Sequence, residues 1–335
     1  MAEPFMTALV AAGLACAVRG LVPAIDTRWL AAGSALLMAA ALSRNVAFAV
    51  LPIMVLCVGF SAPGPRRARA RALLAASTPA LAVLALYLAV FTLNDGRYLG
   101  IANMSGWNLY ARAAPFADCS RFTPPPGTGR LCEKTPTAQR VGSLGYVWDT
   151  ESIGRRSFEL GPETSPVVGG FAREAIAHQP LSYLKAVATD AARYAFPGIG
   201  PDRPQSGQPR DVLSFGRGDP EVRETMEKEL ARGYTGTGVS VHGRGALATY
   251  QDLFRVGGLL LVAMVVLTLV GMAVARGAVR LGVFLFGLAA LALYLVPVLT
   301  LSYEVRYGLP PQPFVVASGA LGLAALLDRR VGLRP

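Results

Sequence analysis

Four apolar runs, Phe5 to Val22, Leu73 to Leu93, Val256 to Ala275 and Leu281 to Leu301, constrain this chain more than any other feature. Each approaches or exceeds the roughly 20 residues that carry an α-helix across a bilayer core. In lipid, each backbone amide must find its partner within its own segment, so runs of this length fold as helices. Three shorter runs, Trp29 to Leu42, Val46 to Phe60 and Phe314 to Leu327 (from Leu309 when extended), are also membrane-embedded, as spans or as re-entrant or buried helices. With 53% hydrophobic and only 16% charged residues, the 335-residue chain has the composition of an integral membrane protein. The expected fold is mainly α: a polytopic membrane helix bundle of about seven membrane segments, some short or re-entrant. The segments fall near 5–22, 29–42, 46–60, 73–93, 256–275, 281–301 and 309–327. Residues 1–93 form a first membrane block and 251–335 a second. Between them lies a mixed, partly helical insertion, 94–250, long enough for its own core.

The formal charge of +11 is unevenly spread. Residues 94–250 are nearly neutral at +2, while the two membrane blocks hold +9. The basic excess therefore flanks the membrane segments, which argues against nucleic acid as a partner and reports orientation instead. Arg66, Arg67, Arg69 and Arg71 form one cluster, Arg276 and Arg280 a second, and Arg329, Arg330 and Arg334 a third. Placing all three in the cytoplasm gives one consistent alternation. Residues 94–250 then lie outside, the Arg19 to Arg28 loop inside, and the Ser43 to Asn45 and Ser302 to Gln312 stretches open outward. Met1 also falls outside, which leads to the expectation of one or more helices upstream of it.

Cys16 and Cys57 are single residues in apolar helices and read as inert core positions. Cys119 and Cys132 bracket a Pro- and Gly-rich loop, FADCSRFTPPPGTGRLCE, in the outside insertion. A disulfide would stabilise that irregular loop in an oxidising compartment. Further along, Val168 to His178 and Leu181 to Phe196 read as two amphipathic helices broken at Gln179-Pro180, where the proline ends the first. Val222 to Arg232 reads as a capped helix, Pro197 to Gly218 as a flexible loop, and the run before Val256 as either an interfacial helix or a plain lead-in. His178 and His242, the only histidines, lack metal-ligand spacing and read as loop or helix-end residues. Asp95 and Asp118 read as solvated loop acids.

A charge at membrane depth costs roughly 2.5–3.5 kcal/mol on insertion scales, so each one needs a reason. Glu3, Arg44, Glu304 and Arg306 qualify, and the deduced topology puts all four on one side, where they can share a site. Arg44, in LSRNVAF, sits at the break between two short segments. Arg306 lies between Tyr303 and Tyr307 in LSYEVRYGLPPQPFVV. Arginine's planar fork matches a phosphate and keeps its charge in any surroundings. The alternatives remain a snorkelling arginine and an interfacial tyrosine belt.

The stretches AEPFMTALVAAGLACAV, RWLAAGSALLMAAALSRNVAFAVLPIMVL and SYEVRYGLPPQPFVVASGALGL together resemble the polytopic GT-C glycosyltransferases, including protein O-mannosyltransferase and aminoarabinose transferase relatives. Members of that family commonly carry an acid before a helix, as in Ala2-Glu3-Pro4, and a Thr-Arg or Thr-Lys between two short helices, here Ser43-Arg44. They also carry an Arg-Tyr-x-x-Pro element before a late helix, here Arg306-Tyr307-Gly308-Leu309-Pro310. YARAAPFADC with the later LCE is similar to the insertion of actinobacterial members. One departure is serious: the family's catalytic aspartate lies in the first outside loop, and nothing in this chain matches that loop. The chain resembles the family from a middle helix onward.

The resemblance implies transfer of a sugar from a polyprenyl-phosphate donor to an acceptor hydroxyl on a cell-envelope glycan, lipid or protein at the outer face. It implies lipid-phosphate binding by Arg306 and Arg44, with Tyr303 and Tyr307 beside them and Glu304 orienting an arginine. The catalytic base stays unassigned, and Glu3 is a weak candidate for lining the site or holding the divalent ion that some relatives use. Two other readings compete. One is a transporter or flippase for a lipid-linked substrate, which should show paired broken helices in both halves. The other is a noncatalytic membrane partner, which the unmatched loop favours.

Overall fold

The structure, a computed structural model, describes residues 2–62, 64–95, 103–196, 199 and 258–331. Among these residues the fold is all helical, without strands. The first block contains α1 (Ala2–Leu21), α2 (Thr27–Ser43), α3 (Val50–Ser61), entered through a 3-10 turn at Asn45–Ala49, and α4 (Arg66–Asp95). The insertion contributes α5 (Ser105–Ala113), α6 (Ser143–Trp148), α7 (Ile153–Ser157), α8 (Ser165–His178) and α9 (Pro180–Ala195). The second block is α10 (Gly258–Val274), α11 (Gly277–Thr300) and α12 (Gln312–Val331), with a 3-10 turn at Val305–Gly308 before α12.

Among the described residues, four segments are long and apolar enough to cross a bilayer, Glu3–Leu21, Arg66–Phe91, Gly277–Thr300 and Arg306–Asp328, and they mark a multi-pass membrane protein. The final segment, read from Phe314 or from Leu309 when extended, takes the longer form, because the 3-10 turn at Val305–Gly308 leads into α12. One expectation changes. The cluster Arg66 to Arg71, read as flanking the membrane segment that starts at Leu73, forms the first turns of α4. Alanine and arginine are both good helix formers, so the backbone stays helical beyond the point where the apolar run ends. The expected span from Val256 is a 17-residue helix from Gly258, its first two residues lying outside the described set.

Close packing of small residues holds the first block together. A Cβ on Gly33 of α2 would lie 2.8 Å from the carbonyl oxygen of Gly13 in α1, so the two helices cross at backbone contact. Pro79 lies inside α4, where its ring disrupts the regular hydrogen-bond ladder. The Ala80 N–H donates across to the buried Ser34 hydroxyl of α2 at 3.1 Å, which ties α4 to α2 at that point.

Chain direction sorts the charges. α1 and α3 run away from the level of Glu3 and Arg44, α11 ends there, and α12 starts there. Arg19, the α4 arginines, Arg276 and Arg280 all lie at the opposite end of the bundle. The insertion sits on the Arg44 end, with α5 and α9 packed against α11.

The described part of the insertion has its own core, in which Trp107, Tyr110, Tyr146 and Phe171 are fully buried. The Cys119–Cys132 disulfide is present, with Cα atoms 5.8 Å apart. Its loop is held from inside by Arg140, which is 5% exposed. Arg140 donates to the carbonyls of Ala114 (3.0 Å), Ala117 (2.7 Å), Glu133 (3.0 Å) and Thr135 (2.9 Å). A single buried cation thus satisfies four carbonyls that an irregular loop would otherwise leave unpaired. α8 and α9 meet at Gln179-Pro180 as the sequence indicates, because proline at the first position of α9 has no N–H to continue α8. The helix read at Val222 to Arg232, the loop from Pro197 to Gly218 apart from Ile199, and His242 lie outside the described residues.

Candidate functional site

A cleft of about 1100 Å³ opens where the insertion rests on the bundle. Its bundle wall comes from the α2–α3 break, through Ser43, Arg44 and Asn45, and from the end of α11, through Pro297, Thr300 and Leu301, with Tyr307 beyond. The insertion wall is more polar, with Asn103, Ser105, Asn108, Ser165 and Arg173. The two irregular points of the membrane blocks therefore meet at one cavity.

The break at Arg44 follows from local sequence. α2 ends as the Ser43 hydroxyl turns back to the Ala40 carbonyl at 2.7 Å, and Arg44 adopts extended backbone before the 3-10 turn. The Arg44 guanidinium pairs with Glu3 at the start of α1. Its Nε is buried without a hydrogen-bond partner in the protein, an arrangement that costs about 1–3 kcal/mol unless a bound group accepts from it.

Arg306 forms a second ion pair, its Nε 2.6 Å from Glu304 Oε1. Its guanidinium also lies 5.1 Å from the Tyr307 ring centroid. Its Nη2 donates to the Tyr307 hydroxyl at 3.4 Å. Arg306 does not itself line the cleft; it stands behind Tyr307, which does. Its side chain is about half exposed and that of Glu304 is mostly buried.

Tyr303 turns the other way. Its ring packs against Tyr194 of α9 at 5.0 Å, and Tyr194 packs against Tyr294 of α11 at the same distance. Burial pushes the Tyr194 hydroxyl well above its ordinary range, with the neighbouring tyrosines and Asp190 adding to the shift. The Tyr194 phenol therefore stays neutral, and the cluster is a packing device rather than a source of charge.

Sequence reasoning missed what fixes this end of the bundle. Asp190 in α9 accepts from Arg112 at the end of α5 (Nη1 to Oδ2, 2.7 Å), from Arg193 (3.1 Å) and from the Tyr303 backbone N–H (3.2 Å). Arg112 Nε also donates to the Leu301 carbonyl at 3.1 Å. Arg112 is 2% exposed and Asp190 7%. One buried carboxylate and one buried guanidinium thus hold the Leu301–Tyr303 strip, and with it the approach to Arg306, against the insertion. Arg173 was missed as well: it sits on the exposed side of α8, yet that side forms the cleft wall.

The remaining candidates have structural roles. Asp118 caps the turn at Cys119; hydrogen bonds from the Ser120 hydroxyl and N–H hold its carboxyl below the usual range. His178 closes α8, its Nδ1 3.0 Å from the Glu174 carbonyl. Cys16 and Cys57 are free thiols in α1 and α3. Among the described residues no three His, Cys, Asp or Glu side chains converge on a common point, and Glu3 is engaged by Arg44, so these residues do not fit a divalent ion.

The cleft can hold an anion: it offers Arg44 and Arg173 directly, Arg306 at one remove, and amide and hydroxyl groups around them. Its described lining contains no carboxylate. No family model, no curated protein and no solved structure matches this chain.

Proposed function

We propose that the protein is a membrane glycosyltransferase of the GT-C type that handles a polyprenyl-phosphate-linked sugar, with the cleft as its lipid-phosphate site at the outer face of the membrane. The observation that carries this reading is the meeting of Ser43-Arg44 and Tyr307, with Arg306 next to it, at one cavity under the insertion. Outward placement of the cleft is supported by the arginine clusters at the opposite end of the bundle.

Glycosyl transfer breaks the bond between the sugar's anomeric carbon and the phosphate oxygen, and the leaving lipid phosphate gains charge as the bond breaks. Arg44 and Arg173 in the lining, and Arg306 reaching past Tyr307, stabilise that charge. The apolar end of α11 accommodates the start of the lipid chain, and Asn103, Asn108 and Ser105 supply the hydrogen bonds a sugar requires. The acceptor hydroxyl must lose its proton to a base, and the described lining offers none. That absence favours a second reading, in which the same cleft binds or translocates a lipid phosphate without chemistry.

The test is transfer of labelled sugar from polyprenyl phosphate to cell-envelope acceptors by the protein in proteoliposomes. Arg306→Ala is expected to lower turnover about 10²–10³-fold while inserting normally. Unchanged turnover in that variant removes the role of Arg306. Transbilayer movement of the lipid phosphate without any transfer selects the second reading.

A further inference from the structure

α9 carries more apolar surface than the bundle covers. At 3.6 residues per turn, Tyr183, Val187, Asp190 and Tyr194 share one face. That face meets the bundle: Val187 and Tyr194 are buried there, and the Tyr183 hydroxyl donates to the Leu299 carbonyl of α11 at 3.0 Å. About a third of a turn away, Leu181, Leu184 and Ala188 follow at i, i+3 and i+7. Leu181 is 80% exposed and Leu184 56%. Ser182, Thr189 and Arg193 take the remaining side, so the helix is apolar over an arc wider than its packing contact.

The position of α9 indicates what covers that arc. Near its start it touches the end of α11 at Leu299. Three turns later, the Ala195 carbonyl comes within 4.0 Å of a Cβ placed on Gly258, the first described residue of α10. α10 and α11 are joined by the turn at Ala275 and Arg276, and at 1.5 Å per residue Gly258 and Leu299 stand about 26 and 33 Å from it. Between those contacts α9 covers about 18 Å of its own length for about 7 Å of rise, so it lies closer to the membrane plane than to the normal. Its far end adjoins an apolar surface that the bundle already turns to lipid. On α10, Leu259, Val262, Val266 and Leu269 form an exposed stripe at helical spacing, and Phe196 and Ile199, just past α9, are exposed as well.

We propose that α9 is an interfacial helix whose Leu181, Leu184 and Ala188 stripe rests in the boundary between lipid headgroups and acyl chains. The bilayer surface, not another protein, covers this face and sets the height of the insertion above the cleft. The proposal rests on the fold alone and stands whether or not the protein transfers sugar.

The test uses the full chain in phosphatidylcholine–phosphatidylglycerol vesicles, with Cys16→Ala and Cys57→Ala to remove the free thiols. A nitroxide is attached at Leu184→Cys, at Leu181→Cys as an independent position, or at Thr189→Cys on the polar side. Collision with oxygen relative to a water-soluble nickel chelate is expected to be several-fold higher at 181 and 184 than at 189. Equal ratios at all three positions overturn the proposal. Spin–spin broadening at 181 or 184 also overturns it, because a second copy would then cover the stripe.

Discussion

Asp190→Ala is expected to destabilise the protein by about 3–5 kcal/mol, read as a loss of thermal stability in detergent, because it strands the Arg112 guanidinium in a dry site. Arg112 is 2% exposed and gives two of its nitrogens to this carboxylate, and water cannot replace the partner without opening the contact between α5 and α9. The same loss releases the Tyr303 N–H and frees the strip leading to Arg306. Replacing both members, Arg112→Met with Asp190→Leu, is expected to recover most of the stability, since a buried ion pair exchanged for apolar side chains of similar volume is often neutral. The recovered double variant should still bind lipid phosphate less well, because Leu301 and Tyr303 lose their tethers in it too. A single Asp190→Ala variant as stable as the parent would show that Arg112 is not confined as described.

Gly106→Ala is the second large effect. A Cβ at Gly106 would lie 1.8 Å from the Ser165 carbonyl oxygen and 2.6 Å from its carbon, which are backbone atoms at the start of α8 that cannot rotate away. The Gly106 N–H also donates to the Ser165 hydroxyl at 3.0 Å, and Trp107 Nε1 to the Thr164 hydroxyl at 3.1 Å, so α5 and α8 are bound at this crossing on both sides. Overpacking of this kind costs about 1–3 kcal/mol, towards the upper end when backbone must move. The crossing forms the insertion wall of the cleft, so the variant should lose stability and anion binding together. A Gly106→Ala protein with unchanged melting temperature would mean that α5 and α8 do not approach this closely.

The membrane helices were legible because hydrophobicity at this length has one solution in lipid. The Cys119–Cys132 pair and the Gln179-Pro180 break were legible because each depends on residues close in sequence. What was not legible depends on contacts between distant positions. Arg112 and Asp190 are 78 residues apart, and each looks like an ordinary solvated charge on an amphipathic helix. Gly106 is one of 36 glycines, and only its position opposite Ser165 separates it from the rest. Arg173 reads as surface because it is surface, and only the placement of the insertion turns that surface into a cleft wall. Tyr303 and Tyr307 are equivalent in the motif, yet the 3-10 turn between them sends one ring into the Tyr194 and Tyr294 cluster and the other to the cavity. The body of α4 was readable from its apolar run, but not its start, which reaches back through four arginines, since hydropathy reports where lipid begins and not where a helix does.

The most direct test is equilibrium binding of polyprenyl phosphate to the purified protein, followed by native mass spectrometry, with polyprenol of the same chain length as competitor. A cleft built around Arg44 and Arg173 predicts that the phosphate lipid binds, that the alcohol fails to displace it, and that Arg44→Ala with Arg173→Ala weakens binding at least tenfold, or about 1.4 kcal/mol. Equal competition by the alcohol, or unchanged affinity in the double variant, would contradict a lipid-phosphate site in this cleft.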